Sequence, residues 1–338
     1  MKAGIRAGQL VRVRQPSEIL ATLNERGELD SVPFMPEMVP FCGRRFVVTA
    51  RTERLCDTIA WTGSRTMPDT VLLEDLRCDG SGHGGCAAGC RMYWKTAWLE
   101  PVIENEPAAH DSPQDDSLRK LVDLVSQHTT ADAAGACFRC QATRAMDATA
   151  PLSRVNPSSY LREYRSGNTR FSRFARIMAR AVGMELAKKF RLLPDPPLRG
   201  AGSTSVRTPR LNLQAGEWVR IRTKAEIEAT LNDKGMNKGL WFDREMLPFC
   251  GSVFQVRQRI DRIIDERTGE MIELPGDCVS LEGAVCSGER STSRWFCPRA
   301  ILPFWREGWL ERVEPLAGAV AATNSLGGRV AEAEEAAR

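Results

Sequence analysis

Pro40-Phe41-Cys42-Gly43 returns later in the chain as Pro248-Phe249-Cys250-Gly251. The match extends in both directions at one constant offset, so that residues 7–78 align without a gap on residues 215–286. Ala7-Gly8 answers to Ala215-Gly216, Val11-Arg12 to Val219-Arg220, and Ala21-Thr22-Leu23-Asn24 to Ala229-Thr230-Leu231-Asn232. After Cys78 and Cys286 the second copy carries a short insertion. The register resumes at Cys86 and Cys297 and runs to Trp98-Leu99-Glu100 and Trp309-Leu310-Glu311. Two copies of one unit therefore flank an unrelated middle.

Each copy opens on alternating apolar and basic residues, Leu10-Val11-Arg12-Val13-Arg14 or Trp218-Val219-Arg220-Ile221-Arg222. That alternation suits a strand with one buried and one wet face. Residues 17–23 and 225–231 read as a brief helix with Ile19 and Leu23, or Ile227 and Leu231, on one side. Gly27 or Gly235 stands just past its end. A long irregular loop then leads to the Pro-Phe-Cys-Gly turn. Further strands are expected over 46–54, 71–76 and 98–102, and over 254–264, 279–282 and 309–313. Trp94, Trp98, Trp305 and Trp309 read as core residues. Short strands without strand–crossover-helix alternation point to a mainly β chain of two tandem, small antiparallel SH3-like barrels.

The middle differs. Residues 104–116 are rich in acid, proline and alanine and read as a linker. Residues 117–127 have helical spacing, with Leu118, Leu121, Leu124 and Val125 on one side. A second helix is expected over 168–192, with Phe171, Phe174, Ile177, Met178, Ala181 and Val182 as its apolar stripe and Arg170, Arg173, Arg176 and Arg180 opposite. The expected organisation is a first repeat over 1–104, a linker and partly helical insert over 105–210, a second repeat over 211–316, and a disordered tail over 317–338.

A length of 338 residues suffices for two or three domains with cores of their own. The net charge of +4 is too small to argue for nucleic acid by itself. No run reaches the roughly 18 apolar residues of a membrane helix, and the N-terminus lacks an apolar signal segment, so a cytoplasmic protein is expected. In a reducing compartment, eleven cysteines serve as metal ligands, redox thiols or core residues before they serve as disulfides. With only three histidines, metal chemistry would rest on thiolate.

Three cysteines keep their places between copies: Cys42 with Cys250, Cys78 with Cys286, Cys86 with Cys297. Cys90 joins the first set and Cys278 the second, giving four thiols per copy, the number that a tetrahedral zinc or a cubane iron–sulfur cluster takes. A second partition takes three ligands from each copy and one each from Cys137 and Cys140, the two ends of the one Cys-x-x-Cys pair. The first is favoured because its ligands are local. Either partition stands against the reading of buried cysteines as small hydrophobes. Cys56 has Ile264 as its counterpart and reads as core. The glycine-rich run Cys78-Asp79-Gly80-Ser81-Gly82-His83-Gly84-Gly85-Cys86 lets backbone amides approach sulfur, with His83 a further ligand or a donor to one.

No catalytic triad, phosphate loop or dinucleotide fingerprint appears. The matched acids Glu37 and Glu245, and Glu74 and Glu282, read as salt-bridging groups near the cysteine sites. The string Cys250-Gly251, Asp277-Cys278, Cys286, Phe296-Cys297-Pro298-Arg299, Phe304-Trp305-Arg306-Glu307 resembles bacterial cysteine-rich proteins with a tandem repeat. That resemblance implies no activity, cofactor or site residue. The resulting expectation is a metal-bearing accessory or scaffold protein with thiolate-ligated iron–sulfur or zinc and a protein partner. Two alternatives are an iron–sulfur redox or cluster-dependent enzyme, and a nucleic-acid binder using the basic helix. The helix over 168–192 also suits contact with an anionic membrane surface.

Overall fold

Both copies build the same five-stranded antiparallel sheet. In the first copy the strand order is Trp94–Lys95, Thr70–Leu73, Arg45–Arg51, Leu10–Val13, Leu99–Pro101. In the second it is Trp305–Arg306, Cys278–Leu281, Val253–Arg259, Trp218–Ile221, Leu310–Arg312. This computed structural model describes residues 4–102, 115–127, 129–132, 135–153, 156–189, 198–204, 206, 208, 210–291 and 294–314. The expected tail and most of the expected linker lie outside them.

The registers agree residue by residue. Val11 opposes Phe46 and Pro101, and Val219 opposes Phe254 and Arg312. A bulge follows Val48 in one sheet and Val256 in the other. The opening alternation works as its pattern requires: Val11, Val13, Val219 and Ile221 are fully buried. On the other face Arg12 pairs with Glu100 and Arg220 with Glu311.

The brief helices end sooner than their apolar spacing predicts, at Pro16–Leu20 and Lys224–Glu228. The threonine beyond each explains the stop. Thr22 and Thr230 donate their hydroxyls back to the Ile19 and Ile227 carbonyls, each at 2.7 Å, a bond that competes with helix continuation. Each hydroxyl then accepts an indole N–H, from Trp98 at 3.0 Å and from Trp309 at 2.9 Å. The loop before the Pro-Phe-Cys-Gly turn is not irregular at its end but forms a 3₁₀ turn, Pro36–Phe41 or Arg244–Phe249.

The cores share one aromatic arrangement. Phe34 meets Trp94 and Trp98 edge-on at 6.2 and 5.1 Å, and Phe242 meets Trp305 and Trp309 at 6.1 and 5.2 Å. All four tryptophans are fully buried. Edge-to-face geometry sets the positive rim of one ring against the negative face of the other, which adds to the area these rings remove from water.

The chain divides into two compact units whose boundary does not follow the repeat. The first holds residues 1–193 with 262–272 and 287–300 of the second copy; the second holds 194–261, 273–286 and 301–338. In the first unit, helix Asp115–Val125 buries Leu121 and Val125 in the core around Trp94 and Trp98. A hairpin joins Thr129–Asp132 to Gly135–Phe138. Helix Pro157–Arg165, capped by Asn156, opens on a proline, whose fixed φ suits the first turn of a helix.

Helix Phe171–Lys189 buries Ile177, Ala181 and Met184, with Phe174 and Met178 beside them, against Trp295, Phe296 and Tyr160. Phe171 and Val182, expected in that stripe, are 68% and 54% exposed. At 100° per residue both lie well over 90° around the helix from Ile177. Among the described residues no helix is long and apolar enough to cross a membrane.

Candidate metal centre

The strand Thr70–Leu73 leads into the glycine-rich segment, whose ends are tied together. Arg77 and Arg91 form an antiparallel bridge, and the Cys78 N–H donates to the Cys90 carbonyl at 2.8 Å. Inside the loop the His83 and Gly85 amides both donate to the Gly80 carbonyl at 2.9 Å. Gly80 makes this turn possible, because its φ is +76° and a Cβ there would lie 2.1 Å from the Cys86 carbonyl oxygen.

Cys140 reaches the same loop from the middle segment. Gln141, buried next to it, fixes the approach: its Oε1 accepts from the Tyr93 amide at 2.7 Å, and its Nε2 donates to the Pro33 and Tyr93 carbonyls, each at 2.9 Å. The Ala142 and Thr143 amides and the Thr143 hydroxyl are aimed at the Cys140 sulfur. The Gly80 amide is aimed likewise at Cys78. N–H donors placed two and three residues past a cysteine are how thiolate ligands are oriented in metal knuckles.

Four sulfurs act on one another here. Burial, then Glu37 and the Cys90 and Cys140 thiols, push the Cys78 thiol far above its ordinary range. Burial pushes Cys90 up to about 12 against the opposing Arg299 guanidinium, with Glu266, Cys140 and Cys86 adding to the rise. Cys140 is raised by burial, with Cys86 contributing. Cys86 accepts the Ile264 amide at 3.4 Å.

Beside Cys78 lies a buried acid–imidazole pair. Glu37 Oε1 receives His83 Nδ1 at 2.7 Å, the Gly82 amide at 3.1 Å and the Cys78 thiol at 3.4 Å. Burial alone would raise the Glu37 pKa; the hydrogen bond and charge of His83 outweigh it and hold the carboxyl below its usual value. Glu37 Oε2 and His83 Nε2 are buried and have no hydrogen-bond partner among the described residues. Glu37, Cys78 and His83 place one ligand atom each within 4.8 Å of the others, close enough to hold a metal ion.

The remaining cysteines stand elsewhere. Cys42 caps the 3₁₀ turn against the first core, and burial pushes its thiol up to about 12. Cys137 donates to the Thr268 carbonyl at 3.0 Å. In the second unit, Cys250 packs against the core and is raised by burial, and Cys286 is buried with its amide on the Ile301 carbonyl at 2.8 Å. Burial pushes Cys278 up to about 11, and the charges acting most strongly on it are those of Arg306, Asp277, Glu307 and Lys238. Cys297 belongs to the first unit, where the Cys56 amide donates to its sulfur at 3.2 Å.

Of the matched acids, Glu245 is buried like Glu37, Glu74 is exposed and accepts the Val47 amide, and Glu282 pairs with Arg257 at 3.3 Å. Sequence reasoning missed the Cys56–Cys297 pairing because repeat logic assigned Cys56 the role of its aliphatic counterpart, Ile264. The departure from Ile264 was itself the available signal. Comparison of the chain with family models, with curated proteins and with solved structures finds no match.

Proposed function

We propose that Cys78, Cys86, Cys90 and Cys140 hold a soft metal, as zinc or as an iron–sulfur cluster, and that the chain is a metal-bearing accessory protein. The support for it is that the Cys78, Cys86, Cys90 and Cys140 thiols, from two separate chain segments, lie near enough for their charges to act on one another, with backbone amides aimed at the Cys78 and Cys140 sulfurs. Four thiolates there would repel one another. A bound cation reverses the sign of that interaction, so binding releases protons and its free energy becomes folding free energy for the loop.

The Glu37–His83 pair sits where an outer carboxylate–histidine couple would steady the Cys78 side, with His83 Nε2 as a further nitrogen donor. Cys140 would bind the middle segment to the first sheet through the metal. Each five-stranded sheet, with its bulge and its pair of core tryptophans, is read as an SH3-like barrel.

The test is elemental analysis and a visible spectrum of protein purified without oxygen. Zinc near one per chain in colourless protein, or iron with matching sulfide in brown protein, is the expected result. Cys86→Ser and Cys140→Ser should each lower the metal content, while Cys42→Ser and Cys250→Ser leave it unchanged. Protein without either metal, or metal that survives both ligand substitutions, overturns the assignment.

A further inference from the structure

Apart from the four-thiol cluster, the first unit holds a second sulfur pair. Strand Leu55–Cys56 begins the hairpin that continues at Ser64–Thr66, and it carries Cys56 into contact with the segment 294–300. The Cys56 amide donates to Cys297 Sγ at 3.2 Å, and the two thiols are hydrogen-bonded to each other. Both residues are more than nine-tenths buried.

Arg299 closes over the pair. Its Nη1 donates to the Cys56 carbonyl at 3.2 Å and to Thr58 Oγ1 at 2.9 Å, and lies 3.9 Å from Cys56 Sγ. Its Nη2 bonds Glu266 Oε1 at 3.2 Å, which keeps the guanidinium fixed in this orientation. The Tyr93 phenol also faces the pair, and burial and the sulfurs hold it well above the ordinary phenol range against the pull of Arg299.

We propose that Cys56 and Cys297 are a redox-active dithiol, which a small hydroperoxide closes to a disulfide. A dithiol does this when one sulfur is held as thiolate, the second is within bonding reach, and a cation stabilises the attacking anion. Here Arg299 supplies the cation beside Cys56, and the Cys56 amide on Cys297 Sγ sets the second sulfur next to the first. The hydrogen bond from the Cys297 thiol, with the charges of Arg299 and Arg294 behind it, brings Cys56 down to about 6 in spite of its burial.

The chemistry balances without further reagents. The Cys56 thiolate attacks the distal oxygen of hydrogen peroxide and the O–O bond breaks. Cys56 becomes a sulfenic acid, and the leaving hydroxide takes a proton from solvent to form water. Cys297 sulfur then attacks the Cys56 sulfur, the S–O bond breaks, and the Cys297 proton leaves with the hydroxide as a second water. Two thiols lose two electrons and one peroxide gains them. Cys56 has no cysteine counterpart in the second copy, where Ile264 stands, so the device belongs to the first unit alone.

Neither sulfur is among the four proposed metal ligands, although Arg299 also acts on Cys90. The test treats the full chain with hydrogen peroxide at pH 7, blocks remaining thiols and maps peptides by mass spectrometry. The first cross-link formed should be Cys56–Cys297, with Cys56 consumed at least about tenfold faster than Cys42, whose thiol is protonated. In Cys297→Ser, the reaction should stop at the sulfenic acid and dimedone should trap it on Cys56. First oxidation among Cys78, Cys86, Cys90 and Cys140, a Cys56 no faster than Cys42, or folded Cys297→Ser that forms no dimedone adduct at Cys56 would each overturn it.

Discussion

His83 Nδ1 lies 2.7 Å from Glu37 Oε1 with both side chains closed off from water. A buried carboxylate persists only with a partner, and removing one member of such a pair leaves the other's desolvation uncompensated. His83→Ala should therefore cost roughly 3–5 kcal/mol in urea-induced unfolding. Adding Glu37→Gln to it should recover part of that loss, because the neutral amide no longer needs the imidazole. A single substitution that costs no more than a surface change would show that the pair is not coupled in the folded protein.

Gly80 tests the loop from its backbone. Its left-handed φ and the 2.1 Å approach of a Cβ to the Cys86 carbonyl leave no room for a side chain. Gly80→Ala should destabilise the first unit by more than about 1 kcal/mol and lower its metal content. Gly239, also left-handed in φ, has nothing within 4 Å of such a Cβ. Gly239→Ala should cost only the backbone strain and leave the metal in place, which separates the two effects in one denaturation series.

The threonine–tryptophan contacts test whether the copies are energetically alike. Thr22→Val removes the acceptor of Trp98 Nε1, and Thr230→Val that of Trp309 Nε1. Each substitution orphans a buried indole N–H at an expected cost of about 1–3 kcal/mol. Equal losses in denaturation of the two variants would show that the repeat conserves energetics as well as geometry. A loss confined to one would show that the copies have diverged.

The sheets were legible because period-two alternation survives in both copies: Val11 and Val13 answer to Val219 and Ile221, and one register serves both. The strands Trp94–Lys95 and Trp305–Arg306 were not, since two residues cannot display a period. Helix 157–165 was hidden because its apolar residues are confined to Tyr160, Leu161 and Tyr164, and Tyr160 packs against Phe296 at 6.2 Å across a long sequence separation. The thiol cluster was legible in its glycine-rich half. Cys140 entered the sequence reading only through the alternative partition, because what brings it there is a buried glutamine, Gln141, whose hydrogen bonds leave no mark in spacing. Pairings such as Cys56 with Cys297 are tertiary events between distant positions, and a local pattern cannot encode them.

Glu163 gives the pH dependence. It lies on helix Pro157–Arg165, 1% exposed, with Oε2 accepting from Asn168 Nδ2 at 2.7 Å and Oε1 without a hydrogen-bond partner among the described residues. Burial raises its pKa to about 8, with Glu53 adding to the rise and Asn168, Arg54 and Arg162 opposing it. In the unfolded chain a glutamate titrates at about 4.3. The folded state thus binds the proton more tightly, and the stability that this confers is full below about pH 4.3 and is lost as pH rises through about 8. Urea unfolding at pH 5.5, 7 and 8.5 should show a falling stability of the order of a few kcal/mol across the series. Glu163→Gln keeps the shape and an oxygen for Asn168 but has no proton to lose, so its curve should be flatter over the same window. Parallel curves for the two proteins would mean that Glu163 ionises in the folded state as readily as in the unfolded one, and that water reaches Oε1.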